Sequence, residues 1–231
     1  MNFIFSDDNK RYHTLNYHNK HTYGGRIYKA VIDAGFTCPN LDGTKSKGGC
    51  IFCDGGSGYF TTGSISVTEQ LRKEKERITA KNPDAAISAY FQAHTNTYAP
   101  IDILRGKFEE AMALDGVVGM NIATRADCLE DDTVRYLAEL AERTVLTVEL
   151  GLQSVHDRTA ELINRGHDYR TFLEGYNKLK KASKKINVCV HLIFGLPEED
   201  EKMMLESVRR VAQLRPDQIK IHLFCRGDRR R

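Results

Sequence analysis

From residue 26 onward the apolar positions switch repeatedly between short continuous runs and longer amphipathic stretches. The short runs predict strands over 26–35 (RIYKAVIDAG), 86–92 (AISAYFQ), 117–123 (VVGMNIA), 145–151 (VLTVELG), 187–195 (NVCVHLIFG) and 217–224 (DQIKIHLF). Apolar residues at helical spacing predict helices over 68–80, 101–114, 131–142, 168–182 and 199–213, with a short extra helix over 155–164. Thr68, Asp131 and Asp168 are the expected caps. Residues 1–25 are polar and read as an N-terminal extension. Strands alternating with helices imply a parallel sheet, because parallel neighbours need a crossover and an amphipathic helix is the usual one. Right-handed crossovers would curl the six units of 26–225 into a partial (β/α)6 barrel of the α/β class. A doubly wound open sheet is the alternative, and both folds put functional residues at the carboxyl ends of the strands.

Composition narrows the class. The chain has 231 residues, 41% hydrophobic and 28% charged, with six Cys and no Trp, as expected of a globular protein. No run of apolar residues is long enough for a membrane span, and the polar N-terminus does not resemble a signal peptide. A cytoplasmic location is therefore expected, where structural disulfides are uncommon and cysteines serve as core residues, ligands or nucleophiles. The net charge of +3 lies entirely in the basic tail 226–231 (RGDRRR), so residues 1–225 are neutral and show no basic excess that would suggest nucleic-acid binding.

The cysteines are not scattered. Cys38, Cys50 and Cys53 fall in GFTCPNLDGTKSKGGCIFC, just after the first predicted strand. A C-x-x-C turn brings two thiolates to one side of a tight loop, and Gly43, Gly48 and Gly49 let the backbone return so that a third can join. Zinc would need a fourth ligand, for which His18, His21 and His94 are candidates, and the chain would then be a zinc-stabilised binding module with a Cys3His site. An iron-sulfur cluster on three thiolates would instead leave one iron open to an exogenous ligand, which makes a reactive site. The thiols of Cys128 and Cys189 lie among apolar neighbours in sequence and read as packing residues. Lys178 to Lys185 is either a solvated helix end or a phosphate-contacting patch.

The three-Cys pattern with Phe52 inside the C-x-x-C, in the loop after the first of six β/α units, resembles the radical S-adenosylmethionine superfamily. Within it, RYHTLNYH (11–18), DAGFTCPN (33–40), GGCIFC (48–53), YFQAHTNTYAP (90–100), ATRADCL (123–129), VELGLQSVHDRTAELINRGHD (148–168) and IKIHL (219–223) resemble the YtqA/YhcC family. The resemblance implies that Cys38, Cys50 and Cys53 hold a [4Fe-4S] cluster whose open iron binds S-adenosylmethionine. It implies that Phe52 packs beside the adenine, that Glu149 takes a ribose hydroxyl, and that Gln153 helps hold the nucleoside. Glu149, Gly151 and Gln153 share strand parity, which puts both polar side chains on one face; the alternative for Glu149 is a structural pairing with a Lys or Arg. Arg165 suits the methionine carboxylate. The Gly-Gly-Glu that many radical S-adenosylmethionine proteins carry after the second strand is missing, which leaves Gln92, Thr95 and Asn96 as candidates there. Asp33, Arg125, His191 and Gly195 also stand in family-like wording.

The resemblance further implies tRNA as substrate, with the wobble uridine taken from its 5-carboxymethylaminomethyl to its 5-aminomethyl form, and a flavodoxin- or ferredoxin-type electron donor. Three departures stand out: Leu41 where members carry Arg, Tyr59 where they carry an acidic residue, and an end in FCRGDRRR where members continue, which reads as truncation or a frame-shift.

Overall fold

The computed structural model describes residues 10–53 and 62–224. Tyr59, Cys225 and the basic tail lie outside them. The strands are β1 (Ile27–Ile32), β2 (Ala86–Phe91), β3 (Val117–Thr124), β4 (Val145–Gln153), β5 (Asn187–Phe194) and β6 (Gln218–Leu223). The helices are α1 (Leu15–Tyr23), α2 (Val67–Thr79), α3 (Ile101–Met112), α4 (Asp131–Ala141), α5 (Asp157–Leu162), α6 (Tyr169–Ala182) and α7 (Glu201–Leu214). The six strands form one sheet in sequential order, each parallel to the next. Five neighbour steps in a flat sheet would separate β1 from β6 by ~24 Å. Instead Lys29 of β1 and Lys220 of β6 both lie over the ring of Tyr90, at 4.5 and 5.4 Å from its centroid. The sheet is therefore curled into a partial (β/α)6 barrel, and the doubly wound alternative is set aside.

Strand parity divides the sheet into two chemically distinct faces. Ile32, Phe91, Ile122, Leu150 and Val190 point outward and are fully buried beneath the helices, with Leu71, Phe108, Leu137 and Phe172 packed against them. The inward face is polar, so the hydrophobic core is the layer between sheet and helices. Edge strand β6 lacks such a cover among the described residues, and its outward Ile219, Ile221 and Leu223 are exposed.

Local signals decide the helix ends. Ser66, not Thr68, caps α2, accepting from the Glu69 N–H at 3.1 Å. Asp168 caps α6 through the Thr171 N–H at 2.8 Å. Asp131 is inside α4 rather than its cap. The segment read as extension contains α1, capped by Thr14 and stopped by Gly24 at φ 77°. Its Leu15, His18 and Asn19 share a cavity with Ile27, Gly119 and Asn187 at the amino ends of the strands, so α1 lies across that mouth of the barrel. No helix among the described residues is long and apolar enough to cross a membrane.

Candidate functional site

At the opposite mouth, where the strands end, a cavity of about 170 Å³ is bordered by Cys38, Cys50, Cys53, Phe52, Gln92, Glu149, Gln153 and Arg165. These eight of the residues singled out from the sequence thus border one space, as do Thr95, Arg125 and His191. Cys50 is buried, Cys38 half-buried and Cys53 exposed. The loop holding them turns on Gly43, Gly48 and Gly49, each with positive φ. His18 and His21 lie on α1, across the other mouth, which removes them as fourth ligands. His94 does border the cavity.

Gly151 explains part of this geometry. A Cβ there would stand 2.7 Å from Gln153 Nε2 and 3.0 Å from an Arg165 terminal nitrogen, so only glycine leaves room for both side chains above the strand. Gln153 has φ 76° at a register shift between β4 and β5, which re-aims the strand end. Arg165 is almost fully buried. One of its terminal nitrogens donates to the Gly151 carbonyl at 2.5 Å, while its Nε has no hydrogen-bond partner among the described residues. His94 Nδ1 is likewise buried without a partner. Buried polar atoms without partners are costly unless a ligand satisfies them. Phe52 packs on its other side against Ile163, Ile193 and Leu196.

Below the cavity lies the polar lumen of the barrel, with Glu149 at its hub. Oε1 accepts from Lys29 Nζ and, at 2.9 Å, from Asn121 Nδ2. Oε2 accepts from the Tyr90 hydroxyl at 3.0 Å and from His191 Nε2 at 2.8 Å, with Lys220 Nζ 3.8 Å away. Burial would raise the Glu149 carboxyl, but His191 and Lys29 outweigh it and hold the group well below the usual carboxylate range. Burial pushes His191 down, and because a carboxylate only accepts, Nε2 must carry the imidazole proton. Glu149 borders the cavity, yet each oxygen already holds two donors; this is the Lys-paired arrangement weighed above as the alternative to ribose binding.

Other sequence readings are corrected. Asn96 does not border the cavity: its Nδ2 donates to the carbonyls of Phe91, Ala93 and Ala123 and ties the end of β2 to β3. Asp33 holds a turn, accepting from the Gly35 N–H at 2.8 Å. Gly195 is exposed and outside the cavity lining. Cys189 points into the polar lumen beside Glu149, because its apolar neighbours Val188 and Val190 face outward. Cys128 lies against Asp127 at 3.8 Å, in polar surroundings. Burial pushes both thiols up to about 12. Lys178, Lys180 and Lys185 are each ion-paired, to Asp131, Asp217 and Glu142. Arg125 forks onto Asp127 with two bonds of 2.9 Å and donates to the Arg165 carbonyl at 2.8 Å.

Three thiols, an unpaired guanidinium nitrogen and an aromatic around one cavity fit a cluster with a zwitterionic ligand. Residues 44–211 match the model of the radical SAM superfamily. The chain belongs to that superfamily. It is 54% identical over 224 residues to protein YtqA of Bacillus subtilis (strain 168), covering 96% of this chain and 69% of YtqA. It is 36% identical over 202 residues to protein YhcC of Escherichia coli (strain K12), covering 87% of this chain and 64% of YhcC. The chain thus spans about two thirds of the length of these relatives. Among solved structures, the archaeal Methanocaldococcus infernus Elp3 with an N-terminal deletion superposes with a TM-score of 0.61 at 18% identity, over 85% of this chain and 45% of that one. The superfamily's cofactors are a [4Fe-4S] cluster and S-adenosylmethionine. Sequence reasoning did not single out Asn40, Lys29, Tyr90 or Asn121; a Lys inside the apolar strand IYKAVI and an Asn inside VVGMNIAT were the available signals.

Proposed function

We propose that this chain is a radical SAM enzyme in which Cys38, Cys50 and Cys53 hold the cluster. The observation that carries the reading is the shared cavity of the three thiols and Arg165, whose Nε lacks a partner among the described residues. Cys38, Cys50 and Cys53 would hold the cluster, which when reduced would supply the single electron for reductive cleavage of S-adenosylmethionine and so give access to radical chemistry on a substrate carbon. The chain's own residues bind and exclude. Arg165 offers a fixed cation to the methionine carboxylate, Phe52 an apolar wall to the adenine, and Gln153 and Gln92 amide groups to the nucleoside and amino group. Arg165 is braced for this by the Gly151 carbonyl, which holds the guanidinium over β4. Glu149 keeps the lumen wall rigid beneath them.

For the substrate we propose tRNA, with the wobble uridine converted from the 5-carboxymethylaminomethyl to the 5-aminomethyl form, in the cytoplasm, with a flavodoxin- or ferredoxin-type donor. The family resemblance supports this, as does the partial similarity to a tRNA-2-methylthio-N(6)-dimethylallyladenosine synthase of Sulfurihydrogenibium sp. (strain YO3AOP1), 27% identical over 107 residues. Residues 1–25 would serve as an extension, 26–225 as the catalytic barrel and 226–231 as a tail. Anaerobic reconstitution with iron and sulfide tests the chemistry: visible absorbance that bleaches on reduction, and 5'-deoxyadenosine formed from S-adenosylmethionine, are expected. One tightly held zinc and no such product would instead support the binding module with His94 as fourth ligand. The tRNA assignment is tested by nucleoside profiles of a deletion strain, where an unchanged wobble uridine would overturn it.

A further inference from the structure

The cysteine loop is joined to the turn between α5 and α6 by two asparagines that work in opposite directions. Asn40, on the loop, is fully buried. Its Nδ2 donates to the carbonyls of Asn164 at 2.7 Å and Arg165 at 3.0 Å, and it stands 3.5 Å from Cys50 Sγ. Asn164, at φ 53° in the turn, returns the contact, its Nδ2 donating to the carbonyls of Lys47 at 2.9 Å and Gly49 at 2.8 Å. Gly166 makes room for this clasp: a Cβ there would stand 2.5 Å from Asn40 Oδ1.

The orientation of the Asn40 amide is fixed by its surroundings. Turning it over would set Oδ1 against two carbonyl oxygens and forfeit every contact of Nδ2. Two hydrogens on Nδ2 therefore face three acceptors, two carbonyls and one sulfur. A neutral thiol is a weak acceptor, whereas a thiolate that carries part of a cluster's negative charge is a strong one. Hydrogen bonds to cluster sulfurs stabilise the more negative, reduced state and so raise the reduction potential.

We infer that Asn40 is a positioning residue for the cluster: its Nδ2–H donates to the Cys50 sulfur and raises the cluster's reduction potential, while Asn164 closes the loop without touching sulfur. The inference rests on the assignment of Cys38, Cys50 and Cys53 as cluster ligands.

The test uses the full chain, reconstituted anaerobically, with iron content and a redox titration of the cluster as readouts. Asn40→Ala removes the donor. Asn40→Asp keeps the shape but offers only acceptors and a negative charge, and Asn164→Ala opens the clasp while leaving the sulfur contact. The expected order of midpoint potential is Asn40→Asp below Asn40→Ala below wild type. Asn164→Ala should keep the wild-type potential but lose iron faster to a chelator. For Asn40→Ala the expected fall in the reduced-to-oxidised ratio is about threefold at fixed potential, ~28 mV at ~59 mV per decade. Wild-type potentials in both Asn40 variants overturn the inference. If neither Asn40 variant loads iron but Asn164→Ala does, Asn40 is assigned to the cluster itself. If all three fail together and the cluster-free chains also melt early, Asn40 serves the fold alone and the inference falls. A wild-type chain that loads no cluster would defeat the ligand assignment instead.

Discussion

Two polar regions share the inside of this barrel and differ in one respect. Around Glu149, every carboxylate oxygen has two donors, from β1, β2, β3 and β5. Around the cysteines, Arg165 Nε, His94 Nδ1 and Asn40 Oδ1 are buried without partners among the described residues. A buried network that satisfies itself contributes rigidity, whereas one with open valences is completed by a ligand. The lumen thus satisfies itself as a scaffold does, whereas the mouth keeps polar atoms open toward a cavity, although their sequences are similarly polar.

The largest expected effect breaks the mouth without touching the lumen. Cys50→Ala should lower iron content after reconstitution to background while the melting temperature of the cluster-free chain barely moves, since only a small buried side chain is shortened. Retention of normal iron would remove Cys50 from the ligand set. The converse break is Lys29→Met. It leaves Glu149 buried without its closest cation, and urea unfolding of the cluster-free chain should show a loss of about 3 kcal/mol, as for a broken buried ion pair. Adding Glu149→Gln should restore much of that loss. A double variant no better than the single would mean that Lys29 acts through packing alone.

A smaller effect tests the seam between the regions. Gly166 has φ 74°, so Gly166→Ala adds about 1–2 kcal/mol of left-handed backbone cost. It also presses on the Asn40 amide, 2.5 Å from the added carbon. Faster loss of iron to a chelator should accompany the lower melting temperature. Normal retention with the same destabilisation would separate backbone strain from the clasp.

The fold was legible because period changes mark every strand and crossover helix from β1 to β6. The site was legible because three cysteines and an E-x-G-x-Q strand carry spacing that packing does not require. What was not legible depends on relations across strands. Cys189 sits among apolar residues in sequence, but they face the helices while it faces the lumen. Lys29 on β1 and Tyr90 on β2 reach Glu149 on β4 only because the sheet curls, and no single strand announces that. Helix α1, LNYHNKHTY, buries only Asn19 and so lacks an apolar stripe. Asn40 reads as a loop residue until the turn at Asn164 is brought beside it.

The smallest expected effect compares how the two regions meet acid. Burial pushes His191 in the lumen below its ordinary value, and burial with the Arg165 charge pushes His167, beside the mouth, down to about 3. A group depressed in the folded chain binds fewer protons there than in the unfolded one, so its stabilising contribution is complete above the unfolded value, ~6.5 for His, and is lost as pH falls. Glu149 and Asp127, both held well below the carboxylate range, add a second loss that begins below ~4. Stability of the cluster-free chain should therefore decline in two stages on acidification. His191→Gln keeps an amide donor for Glu149 but cannot titrate, so it should flatten the first stage by part of one proton and leave the second. His167→Gln should flatten the same stage independently, because the two histidines belong to separate networks. Non-additive flattening in the double variant would show that lumen and mouth titrate as one unit, and the division between scaffold and site would fail.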